Sequence, residues 1–212
     1  MNRRLAALAL TVFMAAGCSA DSSDEPQPSS STSTQTAPSG ATGAQEDWLN
    51  PHTHVAPILA QVVSTDPVDV GRAVATIACT WSPVLDTTET DALHRAAPLL
   101  TDEYATNLQT PKRGASQNIF VQAAAAKAVS VPTVQQRTDI ADAPPSTATT
   151  QYLAYAVTWV WTTAQQKTAD VDDTRIRTVY VVLERQADGS WLASNVDAQD
   201  QQAATPNTSG KD

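Results

Sequence analysis

The feature that most constrains the fold is a regular alternation of side chains between Tyr152 and Trp161. Large apolar and aromatic residues occupy every second position, and mostly smaller residues stand between them. A period of two is typical of a β-strand with one buried face, because successive side chains of a strand point to opposite sides of the sheet. The segment therefore predicts a long strand, one face of which consists of Leu153, Tyr155, Val157, Trp159 and Trp161.

Two further strands are predicted after this one. Ile176 to Leu183 and Trp191 to Val196 are rich in strand-forming residues. Asp188-Gly189 lies between them and is typical of a tight hairpin turn, so the two strands are expected to be antiparallel neighbours. Arg175 and Arg177, at the entry of the first of these strands, are expected to form a solvated ladder with acidic neighbours.

The segment from Ala123 to Pro132 is ambiguous. Its four consecutive alanines favour a helix, whereas the valines close to Pro132 are poor helix material and favour an edge strand. We predict a strand from about Lys127, which brings the number of strands to four.

The first half of the folded region is predicted to be helical. Asp66 can cap a helix that begins at Pro67, and apolar residues then recur at three- and four-residue intervals as far as Trp81. A second helix is expected from Thr87 or Thr88, and a short third helix after Thr101 that ends at Pro111 and Gly114. Residues 48–63 are expected to be a loop followed by a short helical turn. This order predicts an α+β fold, with three N-terminal helices packed on a curved four-stranded antiparallel sheet.

The N-terminus has the organisation of a secretory signal peptide over residues 1–17. Arg3 and Arg4 precede a short apolar stretch, and small residues precede Cys18. The sequence Ala15-Ala16-Gly17-Cys18 resembles the lipobox of bacterial lipoproteins, although Ala15 stands where leucine is most usual. The resemblance implies that Cys18 is lipidated and anchors the chain to the outer face of the bacterial cytoplasmic membrane. A secreted protein that is cleaved nearby and an uncleaved anchor remain as alternatives.

Composition divides the remainder of the chain into three parts. Residues 18–46 are rich in Ser, Thr and Pro and are expected to be a disordered tether, because they cannot bury enough apolar surface to fold. Residues 47–199 are expected to form a single domain, and residues 200–212 a disordered tail. The formal net charge of −9 disfavours nucleic acid as a partner, because such binding depends on positive charge.

The domain resembles the nuclear transport factor two-like superfamily, which includes SnoaL-like cyclases and ketosteroid isomerases and has a cone-shaped, cystatin-like α+β fold. The resemblance covers about residues 66–197. The motifs that carry it are Ala78-Cys79-Thr80-Trp81, Ala96-Ala97-Pro98-Leu99-Leu100-Thr101, Val157-Thr158-Trp159, Val182-Leu183-Glu184-Arg185 and Asp188-Gly189-Ser190-Trp191. More narrowly, the chain resembles actinobacterial lipoproteins and membrane proteins with such a domain, some of which accompany conjugative elements.

The resemblance also implies where a catalytic site would lie. Enzymes of the superfamily place a carboxylate base and a Tyr or acid donor inside the apolar cone. Asp102 and Glu103 are the nearest carboxylates, but their place in the first turn of a helix favours compensation of the helix dipole. We therefore expect no enzymatic activity. The candidate donors are the tyrosines Tyr104, Tyr155 and Tyr180.

Aromatic residues provide the candidate pocket or interface. Trp159 and Trp161 share a strand face, and Trp191 is expected on a neighbouring strand. With Tyr155 and Tyr104 they could line a pocket for a small hydrophobic ligand or a protein-binding face, although the same spacing is typical of core packing.

Cysteine and histidine give no further site. Cys79 is expected to be a small buried residue rather than a nucleophile. His52 and His54 are expected in a solvated loop and His94 on the second helix, so no metal and no cofactor is expected.

The sequence therefore predicts a lipid-anchored accessory protein of the bacterial cell envelope. We expect it to bind a protein partner, and a conjugation-type transfer complex is one setting for it. The alternatives are a carrier or sensor of a small hydrophobic ligand, and an isomerase-like or cyclase-like enzyme. The interior of the domain distinguishes them: an open cavity with a buried acid favours catalysis, an open cavity without one favours ligand carriage, and a filled interior favours assembly.

Overall fold

The domain is organised around one antiparallel sheet. A computed structural model describes residues 40–109, 117–140 and 144–202. Its strands are β1 (Ala128–Arg137), β2 (Thr150–Thr163), β3 (Arg175–Arg185) and β4 (Trp191–Gln202), in the spatial order β1-β2-β3-β4. Neighbours in the sheet are therefore neighbours in sequence, and each pair is antiparallel.

Helices occupy the region before the sheet. They are α1 (Gly40–Leu49), α2 (Pro51–Gln61), α3 (Pro67–Ala78), α4 (Thr90–His94), α5 (Asp102–Asn107) and α6 (Gln117–Ala125), with a short 3-10 helix at Ala97–Leu99. The predicted α+β class with a four-stranded antiparallel sheet is confirmed. The described residues contain more helices than the three expected. The additional helices are α1, α2 and α6, which the sequence pattern does not predict as full helices.

Several predicted boundaries differ from the structure. The predicted tether reaches residue 46, whereas α1 is helical from Gly40. The predicted tail begins at residue 200, whereas β4 continues to Gln202 because Arg175 and Arg177 of β3 pair with its last residues. The predicted signal peptide, Cys18, the tether before residue 40, Pro111, Gly114 and the tail after residue 202 lie outside the described residues.

The predicted second helix is also shorter than expected. It begins at Thr90, because the carboxylate of Asp91 accepts hydrogen bonds from the backbone N–H groups of Thr87 (2.7 Å) and Thr88 (2.8 Å). These bonds hold both threonines in a turn that precedes the helix. Burial raises the pKa of Asp91, but these bonds outweigh burial, so its pKa lies below the usual value.

Helix α3 forms the centre of the core. The Asp66 side chain caps it by accepting a hydrogen bond from the N–H of Val68 (2.9 Å), and Pro67 occupies the first turn as predicted. Val70, Val74 and Ile77 are fully buried. The helix ends at Ala78, three residues before Trp81, so Trp81 belongs to the following loop although it is buried as expected.

The sheet has two unlike faces. The inner face packs against α3 and contains the predicted buried residues of β2 together with Val179, Val181 and Leu183 of β3. The outer face is the side of the sheet that points away from α3. Gly189 has φ of 89° in the predicted β3–β4 hairpin, a conformation that glycine adopts without strain, and this turn fixes which residues share a face.

Helix α3 and β2 lie close together at Gly71. A Cβ atom added at Gly71 would lie 2.6 Å from Tyr155 Oη and 3.2 Å from Leu153 Cδ1. The Tyr155 hydroxyl cannot move away freely, because it donates a hydrogen bond to the Val68 carbonyl at 2.9 Å. Only glycine fits between the helix and the strand at this position.

We expect Gly71→Ala to lower the free energy of unfolding by about 1–3 kcal/mol, the usual cost of overpacking a core. Chemical denaturation followed by circular dichroism measures the change. Gly43→Ala is the matched control, because a Cβ at this helical glycine would meet nothing within 4 Å. Tyr155→Phe removes the oxygen that a Cβ at position 71 would meet, so Gly71→Ala should destabilise this variant less than it destabilises the wild type. An equal loss of stability in the two backgrounds would show that the close approach does not explain the glycine.

Candidate functional site

Two arginines of β3 extend from the inner face of the sheet. Arg175 and Arg177 are two residues apart, so strand alternation places both on the face that carries Val179 and Val181. Their side chains are only 10% and 7% exposed. The acidic neighbours are present as predicted, but the predicted solvated ladder is wrong for the arginines, which are buried although the Glu89 and Asp200 side chains are 22% and 31% exposed.

Arg177 is held by two carboxylates from distant parts of the chain. Its Nε donates to Asp200 Oδ1 at 2.6 Å, and its Nη2 donates to Asp200 Oδ2 at 2.8 Å. The same Nη2 also donates to Glu89 Oε2. The bidentate contact with Asp200 fixes the plane of the guanidinium.

Arg175 joins a third carboxylate to this network. Its Nε and Nη2 donate to the two oxygens of Asp173 at 2.8 and 3.1 Å. Its Nη1 donates to Glu89 Oε1 and to Asp200 Oδ2, both at 2.9 Å. Glu89 and Asp200 therefore each bridge the two arginines.

Tryptophan rings surround the guanidinium groups. The Arg177 Cζ atom lies 4.9 Å from the centroid of the Trp81 ring, and the Arg175 Cζ atom lies 5.4 Å from that of Trp159. Trp81 and Trp159 contact each other edge to face at 5.0 Å. The two distances from guanidinium to ring, 4.9 and 5.4 Å, suit cation–π attraction, which is stronger where water is excluded.

Asp173 connects the tryptophans to the arginines. Its Oδ2 atom accepts hydrogen bonds from the indole N–H groups of Trp159 (2.8 Å) and Trp161 (3.1 Å), and its side chain is 0% exposed. We name this group of side chains the arginine–tryptophan cluster. Its members are Trp81, Glu89, Trp159, Trp161, Asp173, Arg175, Arg177 and Asp200.

The charges of the cluster are held in place by one another. Burial raises the pKa values of Asp173 and Asp200, but hydrogen bonds from Arg175 and Arg177 outweigh burial and lower both below the usual value. Burial lowers the pKa values of the two arginines, but the interactions with the carboxylates outweigh burial, so both pKa values lie above the usual value. All four groups are therefore charged at neutral pH.

A second ion pair positions the loop that carries Glu89. Arg95 Nη1 donates to Asp86 Oδ1 at 2.7 Å, and Arg95 Nη2 donates to the Thr80 carbonyl at 2.6 Å. Asp86 Oδ2 accepts from the N–H of Ser82 at 2.7 Å. The pair closes the loop between α3 and α4, and so directs Glu89 towards the sheet.

The predicted aromatic site is brought together only in part. Trp159 and Trp161 meet in the cluster, whereas Trp191 pairs with Arg185 at the far end of β3 and is buried there. The hydroxyls of Tyr104 and Tyr155 each donate to a backbone carbonyl, that of Val196 and that of Val68, both at 2.9 Å. Burial raises the pKa of each of these tyrosines.

The other candidate residues lie apart from the cluster or are inert. Tyr180 lies on the outer face of β3, and Asp102 and Glu103 are exposed in the first turn of α5. Burial raises the pKa of the Cys79 thiol to about 12, so this side chain is a protonated core residue.

The histidines form no metal site in the part of the chain that the structure describes. No group of three or more histidine, cysteine or acidic side chains with metal-binding geometry occurs there. His52 and His54 lie on helix α2 rather than in the expected loop, because Asn50 caps that helix by accepting a hydrogen bond from the N–H of His52 (3.1 Å). The His54 ring shares a hydrogen bond with the Trp48 carbonyl at 2.7 Å.

A cleft of about 220 Å³ opens beside the cluster. This volume is below the 300–1,000 Å³ that is typical of small-molecule pockets. Its walls combine charged and apolar groups, namely Glu89, Leu93, Tyr104, Arg177 and Val196. Among the described residues, the side chains buried between α3 and the inner face include Trp81 (0% exposed) and Trp161 (3%).

Comparison of the chain with protein-family models, with curated proteins and with solved structures finds no match. The resemblance to the nuclear transport factor two-like superfamily stays a prediction from the sequence. Among the described residues, no helix combines the length and the apolar character that a bilayer span requires.

We expect the free energy of unfolding to fall as the pH drops below about 4. The lowered pKa values of Asp173 and Asp200 mean that their contribution is complete above the ordinary value of 3.8 and is lost as the pH falls through the values in the folded protein. Denaturation at a series of pH values, followed by tryptophan fluorescence, measures this loss.

Asp173→Asn is expected to lower the free energy of unfolding at pH 7 by about 3–5 kcal/mol, because Arg175 then lacks one of its buried partners. The same substitution is expected to make the free energy of unfolding depend less on pH in the acid range. Asp139→Asn is the matched control, since Asp139 forms a similar bidentate contact with Arg137 but is 69% exposed. Equal effects of the two substitutions would contradict the importance assigned to burial.

Proposed function

We propose that this chain is a lipid-anchored, extracytoplasmic accessory protein of the bacterial cell envelope, and that its domain serves binding and assembly rather than catalysis. The observation that carries the proposal is the set of bulky aromatic and paired charged side chains on the inner side of the sheet. If the resemblance to the superfamily holds, substrate would bind on this inner side, where tryptophan rings and paired charges stand in this chain.

Asp173, the buried acid of the arginine–tryptophan cluster, is unsuited to proton transfer. Asp173 accepts hydrogen bonds from Arg175, Trp159 and Trp161, which occupy both of its oxygens. These donors hold its pKa below the ordinary value, so the carboxylate is a weak base at neutral pH. The general base of an isomerase-like or cyclase-like enzyme needs a pKa that is raised towards neutrality.

The size and charge of the interior also argue against a ligand carrier. The cleft beside the cluster has a volume of about 220 Å³, and Glu89 and Arg177 form part of its wall. A small hydrophobic ligand in this cleft would desolvate both charges without pairing with either. Assembly through the outer surface of the domain places no such demand on the interior.

The anchor at Cys18 supplies the location in this proposal. A cysteine that follows a signal peptide can receive two or more acyl chains, which together hold a protein stably on a membrane. The partner is then another envelope protein, and a conjugation-type transfer complex is the setting that the sequence resemblance favours.

We expect Cys18→Ser to abolish incorporation of a labelled fatty acid and to release the chain from the membrane fraction. Alkyne-palmitate labelling of growing cells, followed by fractionation, measures both. Cys79→Ser is the matched control, because Cys79 is the only other cysteine and is buried. Label that persists in Cys18→Ser, or that disappears in Cys79→Ser, would contradict the assigned anchor.

We expect in-cell cross-linking of the anchored chain to give discrete products that contain a second envelope protein. Mass spectrometry of products recovered through a C-terminal tag identifies that protein. The unanchored Cys18→Ser chain is the control, since it should give these products in much lower yield. If the anchored chain gave the same products as the unanchored chain, the assembly role at the membrane would be wrong.

A further inference from the structure

Strand β4 lies at one edge of the sheet and is covered along its first half only. There the Ala193 carbonyl accepts a hydrogen bond from the N–H of Thr101 at 2.9 Å, and the N–H of Trp191 donates to the Ser64 carbonyl at 2.8 Å. Residues 197–202 are all exposed, and within the described part of the chain their backbone forms hydrogen bonds with β3 alone. The second half of β4 therefore ends the sheet with an uncovered edge.

The register of β4 identifies the backbone groups on this edge. The Tyr104 hydroxyl donates to the Val196 carbonyl at 2.9 Å, so this carbonyl points away from β3. In an antiparallel pair, residues that bond to the neighbouring strand alternate with residues that do not, so Ala198 and Asp200 also direct their backbone groups outward. Each of these two residues offers one N–H donor and one C=O acceptor to a further strand.

The edge is held in an extended conformation from the inner side of the sheet. Residues 197–202 contain no β-branched or aromatic side chain and therefore have little strand propensity of their own. The two carboxylate oxygens of Asp200 accept hydrogen bonds from Arg177 at 2.6 and 2.8 Å, which fixes this part of β4 against β3. An added strand would therefore meet an ordered template, and binding would cost little conformational entropy on the side of this chain.

The cleft of about 220 Å³ beside the arginine–tryptophan cluster opens at the same edge. Among its lining residues, Ala198 and Gln109 are exposed, whereas the Arg177 side chain is only 7% exposed, so the mouth of the cleft lies along β4. Val196 and Leu108 provide apolar wall. Since a cavity of about 150 Å³ holds a benzene-sized group, one aliphatic side chain fits in the mouth without displacing the charges below it.

Unpaired strand groups beside a cleft of this size are the two parts of recognition by strand addition. In that mode, main-chain hydrogen bonds give affinity, and a pocket for an alternate side chain gives specificity. We propose that the β4 edge at Ala198 and Asp200 binds an extended segment of another protein as a fifth, antiparallel strand, with one aliphatic side chain of that segment in the cleft. This inference names the kind of partner in the proposed assembly role and rests on that role.

Charge determines which segment fits the edge. Asp197 is exposed on the outer face of β4, next to Ala198, and the whole chain has a formal net charge of −9. When an aliphatic residue of the added strand lies opposite Ala198, its two neighbours lie opposite Asp197 and Gln199. Lys or Arg at these neighbouring positions is attracted to Asp197. A second copy of this chain suits the edge less well, because its own Asp197 and Asp200 would add carboxylates to the same junction.

A synthetic peptide with this pattern tests whether the edge accepts a strand. The probe is acetyl-Val-Thr-Lys-Leu-Lys-Thr-Val-amide, and the receptor is the full chain with Cys18→Ser, labelled with ¹⁵N for NMR. Saturating peptide is expected to slow amide hydrogen exchange at Ala198 and Asp200 by at least about tenfold, and to leave exchange in β1, at the opposite edge, unchanged. The same peptide with an N-methylated leucine is the control, because it lacks the donor for the Ala198 carbonyl.

Two outcomes of the exchange experiment overturn the proposal. One is unchanged exchange at Ala198 and Asp200 when the peptide is present in excess, or equal slowing by the N-methylated peptide. The other is protection of these two amides in the chain without peptide, since the edge would then already be occupied by the chain itself or by a second copy.

Substitutions on β4 separate the edge from the rest of the surface. Ala198→Pro removes the outward N–H and leaves the bonds to β3 in place, and Ala198→Leu fills the mouth of the cleft. Each is expected to raise the dissociation constant of the peptide by at least about tenfold. Gln199→Leu is the matched control, because its side chain lies on the outer face of the same strand, and circular dichroism verifies that each variant folds. Equal affinities of Ala198→Leu and Gln199→Leu overturn the proposal.

Cross-linking in cells distinguishes this inference from the assembly role on which it rests. The anchored chain with Ala198→Pro is expected to lose the cross-linked products that the unchanged anchored chain gives. Products that persist in Ala198→Pro overturn strand addition and leave the assembly role in place. If the unchanged chain gives no products, the assembly role is wrong, and the peptide titration then decides strand addition by itself.

Discussion

The structure depends on the burial of two adjacent arginines against the inner face of the sheet. Removing two guanidinium groups from water is expensive, and the cost is offset only where every donor meets a carboxylate or an aromatic face. Glu89, Asp173 and Asp200 meet this requirement and come from three separate segments. The arginines therefore fix the loop before α4, the loop before β3 and the end of β4 at once.

This requirement explains features that lie far apart along the chain. Strand β4 continues through the polar sequence Asp197 to Gln202, which has little strand propensity of its own, because Asp200 binds both arginines. The loop before α4 is closed by its own buried pair, Asp86 with Arg95, and so holds Glu89 in reach of the same arginines. Tertiary charge pairing has overridden local propensity at both places.

Local patterns predict the elements well, whereas the distant carboxylates that bind the two arginines, and the burial of those arginines, are not predicted. The alternation in β2, the Asp66-Pro67 helix start and the Asp188-Gly189 turn each act within a few residues, so the sequence reveals them directly. By contrast, Glu89 and Asp200 are 111 positions apart, and nothing in their neighbourhoods marks them as partners. One signal was present: Arg175 and Arg177 have the period of a strand whose next alternate residues, Val179 and Val181, are plainly buried. Extending that period would have placed the arginines inside.

The two faces of the sheet differ in how much of their surface is available for binding. On the inner face, side chains are already bound to one another, and a ligand there would have to displace ion pairs that hold three segments together. On the outer face, Val131 and Val160 are exposed, and both lie on strands whose other face packs against α3. The buried charges of the inner face thus stabilise the same sheet that presents these valines to solvent.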